Sequence, residues 1–234
     1  MSSLDPLTYL DLVQRTSIEC AVPGTGPDTV AGASGQVLDF CQYVANAWME
    51  LQTMHDDWSF MLVSPGVSFV TVAAQSLYTP TQAGVSAGEV SSWKRGTFRN
   101  YLTATGTPSE VRMQWIDYDE WRDCYQIGTL RTTQVQPMMF SITPELSLVV
   151  QCPLAGYTIT ADYYSAPVRL SGNSDTPSIP RRFNMAIVYR AMMDYGVFES
   201  DPEIYQKGKR GYDLLVGRLE KQRLPSIGAG GALA

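Results

Sequence analysis

The fold turns on Ile179–Arg223, IPRRFNMAIVYRAMMDYGVFESDPEIYQKGKRGYDLLVGRLEKQR, which punctuates itself as two helices joined by a tight turn. Pro180 suits the first helical position, where its missing N–H would lack a partner anyway. Phe183, Ala186, Ile187 and Ala191 recur at helical spacing, and Met185, Val188, Tyr189, Met192 and Met193 widen the apolar arc. So little polar surface predicts a helix buried on more than one side. Gly196 is read as the point where the chain leaves that helix. Asp201-Pro202-Glu203 then supplies an N-cap, an N1 proline and a first-turn carboxylate for the second. The second helix has a narrower stripe of Ile204, Tyr205, Gly208, Tyr212, Leu215 and Leu219. Gly208 and Gly211 each cost roughly 1 kcal/mol against alanine in a helix interior, which either a close helix crossing or simple exposure explains.

Upstream, Asp5-Pro6 reads as the opening of a first helix with Leu7, Leu10, Val13 and Ile18 behind it, ending before Pro23. Residues 22–35 form a long loop rich in breakers. Its Gly24-Thr25-Gly26 is no phosphate loop, because Thr29 stands where a third glycine belongs and no GK[ST] follows. Ordered loops of this length are usually functional or interfacial. Ser34 is the expected cap of a second helix, Gln36 to about Met54, with Val37, Phe40, Cys41, Val44, Trp48 and Leu51 on one face.

From Trp58 to Ala166 the hydrophobic period changes from 3.6 to 2. The expected strands are Trp58–Val63, Val67–Ala74, Thr97–Leu102, Val111–Ile116, Val135–Ile142, Leu146–Gln151 and Tyr157–Ser165, with Pro65-Gly66 among the turns. Alternation is clearest at Tyr157, Ile159, Ala161 and Tyr163 against Thr158, Thr160, Asp162 and Tyr164. The expected fold is therefore α+β. Residues 1–57 and 179–224 form a helical bundle core, 58–178 an inserted antiparallel β-sandwich-like unit, and 225–234 a small, uncharged, flexible C-terminal tail.

The 234 residues are enough to bury a sizeable core, and the composition, 44% hydrophobic and 17% charged, is that of a globular protein. No basic start with an apolar run predicts a secretory signal, and no uncharged stretch is long enough to span a membrane. Cys20, Cys41, Cys124 and Cys152 are scattered, and free thiols are expected. The net charge of −6 hides an asymmetry. Residues 1–178 hold 8 Lys+Arg against 17 Asp+Glu, whereas residues 179–234 hold 9 against 6.

No catalytic arrangement, metal site or cofactor is expected. His55 stands beside Asp56 and Asp57, residue types suited to a general base, yet it is a lone histidine at a helix end with no nucleophile nearby. Asp117-Tyr-Asp-Glu-Trp-Arg-Asp123 fails the calcium-loop pattern. Asp117 is expected to cap a short helix, with Glu120 completing a capping box and Trp121 and Tyr125 anchoring it to the sheet. Trp93-Lys-Arg-Gly-Thr-Phe-Arg99 interleaves cations with aromatics, but in an acidic chain it reads more simply as a strand with a solvated face.

Two separated blocks together resemble a known family. One runs from Gly26-Pro-Asp-Thr-Val-Ala-Gly-Ala-Ser-Gly-Gln-Val-Leu38 to Val44-Ala-Asn-Ala-Trp48 and on to His55-Asp-Asp-Trp58. The other is Asp175-Thr-Pro-Ser-Ile-Pro-Arg-Arg-Phe183 with Val188-Tyr-Arg-Ala191 and Tyr195-Gly-Val-Phe-Glu199. Both are similar to the head-to-tail adaptor proteins of tailed bacteriophages, and Gln75-Ser-Leu-Tyr78 and Gly156–Tyr164 resemble that family's β part. The resemblance implies a structural virion protein, made in the host cytoplasm, that docks under the portal protein at the capsid vertex. Copies would form a homo-oligomeric ring of about twelve, contacting tail or nozzle proteins and letting genomic DNA pass without sequence-specific binding. On that reading Lys207, Lys209, Arg210, Arg218 and Arg223, with Pro225, Ile227 and Leu233, would bind the portal. Thr25, Pro27, Val30, Arg181 and Arg182 would face neighbouring subunits. The alternative is a carbohydrate- or surface-binding β-sandwich with Trp93, Trp115 and Trp121 as a stacking platform.

Overall fold

The structure, a computed structural model, describes residues 7–24 and 26–224. Among these are five α-helices: α1 (Tyr9–Glu19), α2 (Gln36–Thr53), α3 (Tyr118–Tyr125), α4 (Asn184–Phe198) and α5 (Pro202–Arg223). The strands are β1 (Leu62–Val70), β2 (Leu77–Tyr78), β3 (Val90–Trp93), β4 (Arg99–Leu102), β5 (Val111–Arg112), β6 (Gln114–Trp115), β7 (Met139–Ile142), β8 (Leu148–Val150) and β9 (Tyr157–Ser165). The fold is α+β. The chain divides into two compact units, one from the residues through Phe60 together with those from Pro167 onward, the other Met61–Ala166.

In the helical unit α4 is the central element, packed against α1, α2 and α5. That is why its apolar arc is so wide: Ala186, Ile187, Val188, Ala191 and Met192 are all fully buried. The crossing with α5 is close. A Cβ on Gly208 would stand 2.8 Å from the Tyr189 carbonyl oxygen, and one on Gly211 would stand 2.5 Å from the Tyr189 ring. Gly196 does not end α4 as expected. It lies inside the helix, where a Cβ would meet the Tyr205 nitrogen at 2.8 Å. The turn comes at Ser200, with φ +57°, and the Asp201 carboxylate then accepts the Glu203 and Ile204 N–H groups at 2.9 and 3.1 Å. Pro180 precedes a 3₁₀ turn, Arg181–Phe183, rather than opening α4 directly.

The starts of α1 and α2 also differ from expectation. The cap of α1 is Thr8, in a reciprocal box: its hydroxyl accepts the Asp11 N–H at 3.2 Å and Asp11 accepts the Thr8 N–H at 2.9 Å. Asp5 and Pro6 lie outside the described residues. The buried face of α1 is Tyr9, Leu12, Val13, Thr16 and Ser17, leaving Ile18 half exposed. Gly35, with φ +56° and no side-chain bond, caps α2 in place of Ser34. Phe40, Cys41, Val44, Trp48 and Leu51 are buried along α2, and Phe40 stacks on Tyr195 of α4 with ring centroids 4.9 Å apart. Trp58 joins this core instead of starting a strand. Its indole N–H donates to the Leu51 carbonyl at 2.9 Å and Phe60 stacks on it.

The second unit is a sandwich. One sheet runs β1-β9-β4-β5, with β3 also paired to β9, and the other β2-β8-β7-β6. The long central β9 serves β1 along one edge and β3 and β4 along the other. Ile159, Ala161 and Tyr163 of β9 meet Phe140, Leu148 and Val150 of the opposite sheet in one apolar cluster, with Phe98 stacked on Phe140 at 3.8 Å. Pro65-Gly66 is not a turn. It sits within β1 at a bulge between Val63 and Val67, where a Cβ on Gly66 would be 2.5 Å from the Ala161 carbonyl oxygen. The second sheet is not wholly antiparallel either. β6 and β7 run parallel because the chain between them makes a long crossover through α3 and the 3₁₀ turn Gly128–Arg131.

Candidate functional site

The solvent face of α5 carries Lys207, Arg210 and Arg218 of the residues expected at the portal. Lys207, Arg210, Arg218 and Lys221 recur at intervals of three, eight and three, which puts them on one exposed stripe. Leu214 completes that stripe and is 54% exposed. Its position breaks the apolar pattern of α5, the only sequence signal that marks it. Lys207 is not free. It donates to the Glu19 carboxylate at 2.8 Å and to its carbonyl at 3.2 Å, tying α5 to the end of α1. That hydrogen bond, joined by the nearby Lys207 and Arg15 charges against a smaller burial effect, holds the Glu19 carboxyl below its ordinary range. Beside it Glu19, Pro202, Ile204, Lys207 and Arg210 line an open groove of about 660 Å³. Lys209 pairs with Asp213 at 3.2 Å, and Arg210 Nε donates to the Gln206 carbonyl at 3.3 Å. Arg223 is half-buried with Nε unpartnered, and its carbonyl accepts the Ser59 N–H at 3.0 Å. It is the least available of the set. Pro225, Ile227 and Leu233 lie outside the described residues.

The loop expected at a subunit interface is latched within its own unit. The Pro27 carbonyl accepts from Gln14 Nε2 at 2.8 Å, and the Val30 N–H donates to Asn173 Oδ1 at 2.8 Å. Val30 is buried inside the chain, which removes it from the surface. Thr25 lies outside the described residues. The latch continues through Asp175. Its carboxylate accepts the Gly172 and Ser171 N–H groups, both at 2.8 Å, which holds it below the usual carboxylate range. Its carbonyl accepts the Tyr9 N–H at 2.7 Å. Arg181 is half-buried and Arg182 exposed; Arg182 bonds Gln222 at the end of α5 and lies 5.0 Å over the Phe183 ring.

His55 is placed structurally. Its Nε2 lies 3.1 Å from Glu220 Oε1, and its ring meets Trp58 edge-on at 4.8 Å. Burial pushes the Cys20 thiol up to about 12 and the Cys41 thiol upward as well, so neither is an activated nucleophile. Among the described residues, no group of three or more His, Cys, Asp or Glu stands together as a metal site. Nor is any helix among them long and apolar enough to cross a membrane. The Asp117 loop caps α3 through the Asp119 N–H at 3.0 Å, not through a reciprocal Glu120 box. Tyr125 reaches Met139 of β7.

The tryptophan platform does not exist. Trp93 is 4% exposed, its indole donating to the Leu146 carbonyl at 2.7 Å, and Trp121 is 2% exposed. Trp115 is half-buried with the Arg95 guanidinium 4.0 Å over its ring. The described residues present a basic-and-leucine face on α5, and the sequence matches the family model described as SU10 adaptor protein over residues 7–229.

The chain belongs to the SU10 adaptor protein family.

This is a family of phage structural adaptors, not of enzymes. The match begins just before α1 and runs past the end of α5, so it takes in both compact units of the adaptor. No curated protein matches the sequence.

Proposed function

We propose that this adaptor forms a ring between the portal and tail proteins of a phage virion and completes the DNA channel at the capsid vertex. The carrying observation is the family match across both units. The exposed stripe of Arg210, Leu214, Arg218 and Lys221 supports α5 as the portal-facing element, with Lys209 exposed on another flank of the same helix. One apolar side chain among cations gives both a contact to bury and a field that steers an acidic partner. Pro225, Ile227 and Leu233, which follow that helix in the sequence and lie outside the described residues, are assigned to the same contact. Lys207 and Arg223 serve the fold of the helical unit as much as the contact. Arg182, exposed where the start of α4 meets the end of α5, is the leading subunit-contact residue, with Arg181 next to it in sequence and Pro27 assigned to the same kind of contact. The ring is a closed heterologous assembly of about twelve copies, and DNA passes through it without sequence-specific contact. No catalytic step is part of this role.

Electron microscopy of the purified protein mixed with portal tests the reading directly. Rings seated on the portal are expected. A protein that stays dispersed, with the portal bare, overturns it. Reversing charge at Arg210 and Arg218 should weaken attachment while leaving the melting temperature within about 2 °C, since both side chains are exposed.

A further inference from the structure

We propose that the sandwich carries a phosphate-binding site built from Arg95, Arg112 and Trp115, with the backbone of DNA as its ligand. The site follows from its own geometry; DNA as the source of phosphate rests on the channel role proposed above. β5 is the outer strand of one sheet and β6 the outer strand of the other, and the chain steps between them at Met113. Met113 is buried, so the crossing is pinned to the core and the residues around it open outward. Arg95, Gly96, Arg112, Met113, Gln114 and Trp115 line an open pocket of about 400 Å³ there. The Arg95 guanidinium lies 4.0 Å over the Trp115 ring, and Arg112 Nη2 lies 3.6 Å from where a Cβ on Gly96 would sit. Two guanidinium groups therefore flank one opening.

Among the described residues no carboxylate pairs with either of them. The strand register makes this conspicuous, because Arg112 stands directly opposite Arg99. Like charges facing each other across a strand pair are destabilising. Glu110 neutralises Arg99 through a 2.9 Å ion pair, and nothing does so for Arg112. Lys94 adds a further cation on the same turn, while Glu110 and Asp162 in the adjoining groove are the acids nearby. This local surplus arises in a unit that is acidic as a whole, six Lys+Arg against eight Asp+Glu over residues 61–166. Charge concentrated against the trend of its own unit, and held at a cost in stability, points to an anionic ligand.

Arginine forks suit phosphate because they bind it with two parallel N–H bonds, and stacking on an indole fixes such a fork before the ligand arrives. An acidic peptide is the weaker fit. Peptides that dock on sheet edges do so by adding a strand, and β5 and β6 are two residues each, too short to template one.

The test uses the full chain and a labelled duplex of about 20 base pairs, with anisotropy read from low to physiological salt. Each phosphate neutralised contributes about 0.9 to the slope of log affinity against log salt. R95Q/R112Q should bind at least tenfold more weakly at the lowest salt, with the slope reduced by about two. R122Q/R131Q removes the same charge from elsewhere in the unit and should keep both affinity and slope. The site variant should melt within about 2 °C of wild type, because relief of the Arg99–Arg112 opposition offsets the lost Arg95–Trp115 stack, so weakened binding will not reflect unfolding. Equal losses in the two double variants would reduce the effect to net charge and overturn the site, as would wild-type protein that binds neither duplex nor inorganic phosphate at low salt. Saturation by inorganic phosphate without duplex binding would overturn DNA as the ligand. A polyglutamate peptide that competes as well as DNA of equal charge would overturn phosphate in favour of an acidic protein partner. Portal attachment by R95Q/R112Q, measured alongside, should be unchanged, which separates failure of this site from failure of the portal reading.

Discussion

Where α5 crosses α4, Gly208 lets the Tyr189 carbonyl come so near that a single methyl would stand 2.8 Å from it. Where the two sheets meet, Phe98 and Phe140 fill the space between them with rings stacked 3.8 Å apart. The helix crossing is thus closed by backbone approach at a missing side chain, and the space between the sheets by large side chains; within the sandwich, close backbone approach is confined to one sheet, at Gly66 against Ala161. Charge is used differently too. Lys207–Glu19 and Arg190–Glu50 bridge separate helices, whereas Arg95 and Arg112 of the sandwich pair with no acid among the described residues. Different substitutions should therefore do the damage at the two places: truncation between the sheets, enlargement at the helix crossing.

The largest effect should come from truncation in the sandwich. Phe140→Ala should cost about 3–5 kcal/mol in denaturant unfolding, because the residue is fully buried and stacked. A loss below about 1 kcal/mol would mean the sheets close over the gap. In the helical unit enlargement is the damaging change. Gly208→Ala should destabilise by about 1–3 kcal/mol from overpacking against backbone, despite alanine's better helix propensity. Asp201→Ala removes the cap of α5 and should cost about 1 kcal/mol. Gly217→Ala, on the same helix but with nothing within 4 Å of the new Cβ, should stabilise by about 0.5–1 kcal/mol. Opposite signs at Gly208 and Gly217 would isolate the crossing as the cause, and equal signs would break the comparison.

The smallest effect is in pH. The Glu19 carboxyl is depressed in the folded state, so its ion pair stabilises fully above the ordinary value of 4.5 and is lost as pH falls through the lower folded value. Lys207→Gln should lower stability above about pH 4.5 by less than about 1 kcal/mol, as a partly exposed pair implies, leave stability in strong acid unchanged, and so flatten the acid limb. An acid limb identical to wild type would show that Glu19 keeps its shift through Arg15 alone.

Much of the helical architecture was legible because it is local. The Asp201-Pro202 start, the broad arc of α4 and the α2 stripe depend on residues three or four apart, and each formed where the sequence placed it. The inward set of β9 was readable for the same reason, its period being two. The reading faltered where one residue type serves two ends. Pro65-Gly66 carries the signature of a turn, and Gly196 that of a helix end. Each glycine is instead required because another backbone passes within reach of its missing Cβ. Of the candidate sites, the basic stripe of α5 was visible as a run of lysine and arginine. The Arg95–Trp115 stack and the Arg99–Arg112 opposition were not, since those pairs lie twenty and thirteen positions apart and meet only through strand pairing.

The sequence by itself determined the α+β class, the helix hairpin and its cap, and the acidic body with a basic end, all of which follow from composition and short-range periodicity. Only the tertiary structure decided which glycines are crossings, which tryptophans are core, that β6 and β7 run parallel, and which arginines stand without a carboxylate. Those are relations between segments distant in the chain. Steric exclusion and ion pairing act over a few ångströms of space, and no pattern along the sequence records which segments folding will bring that close.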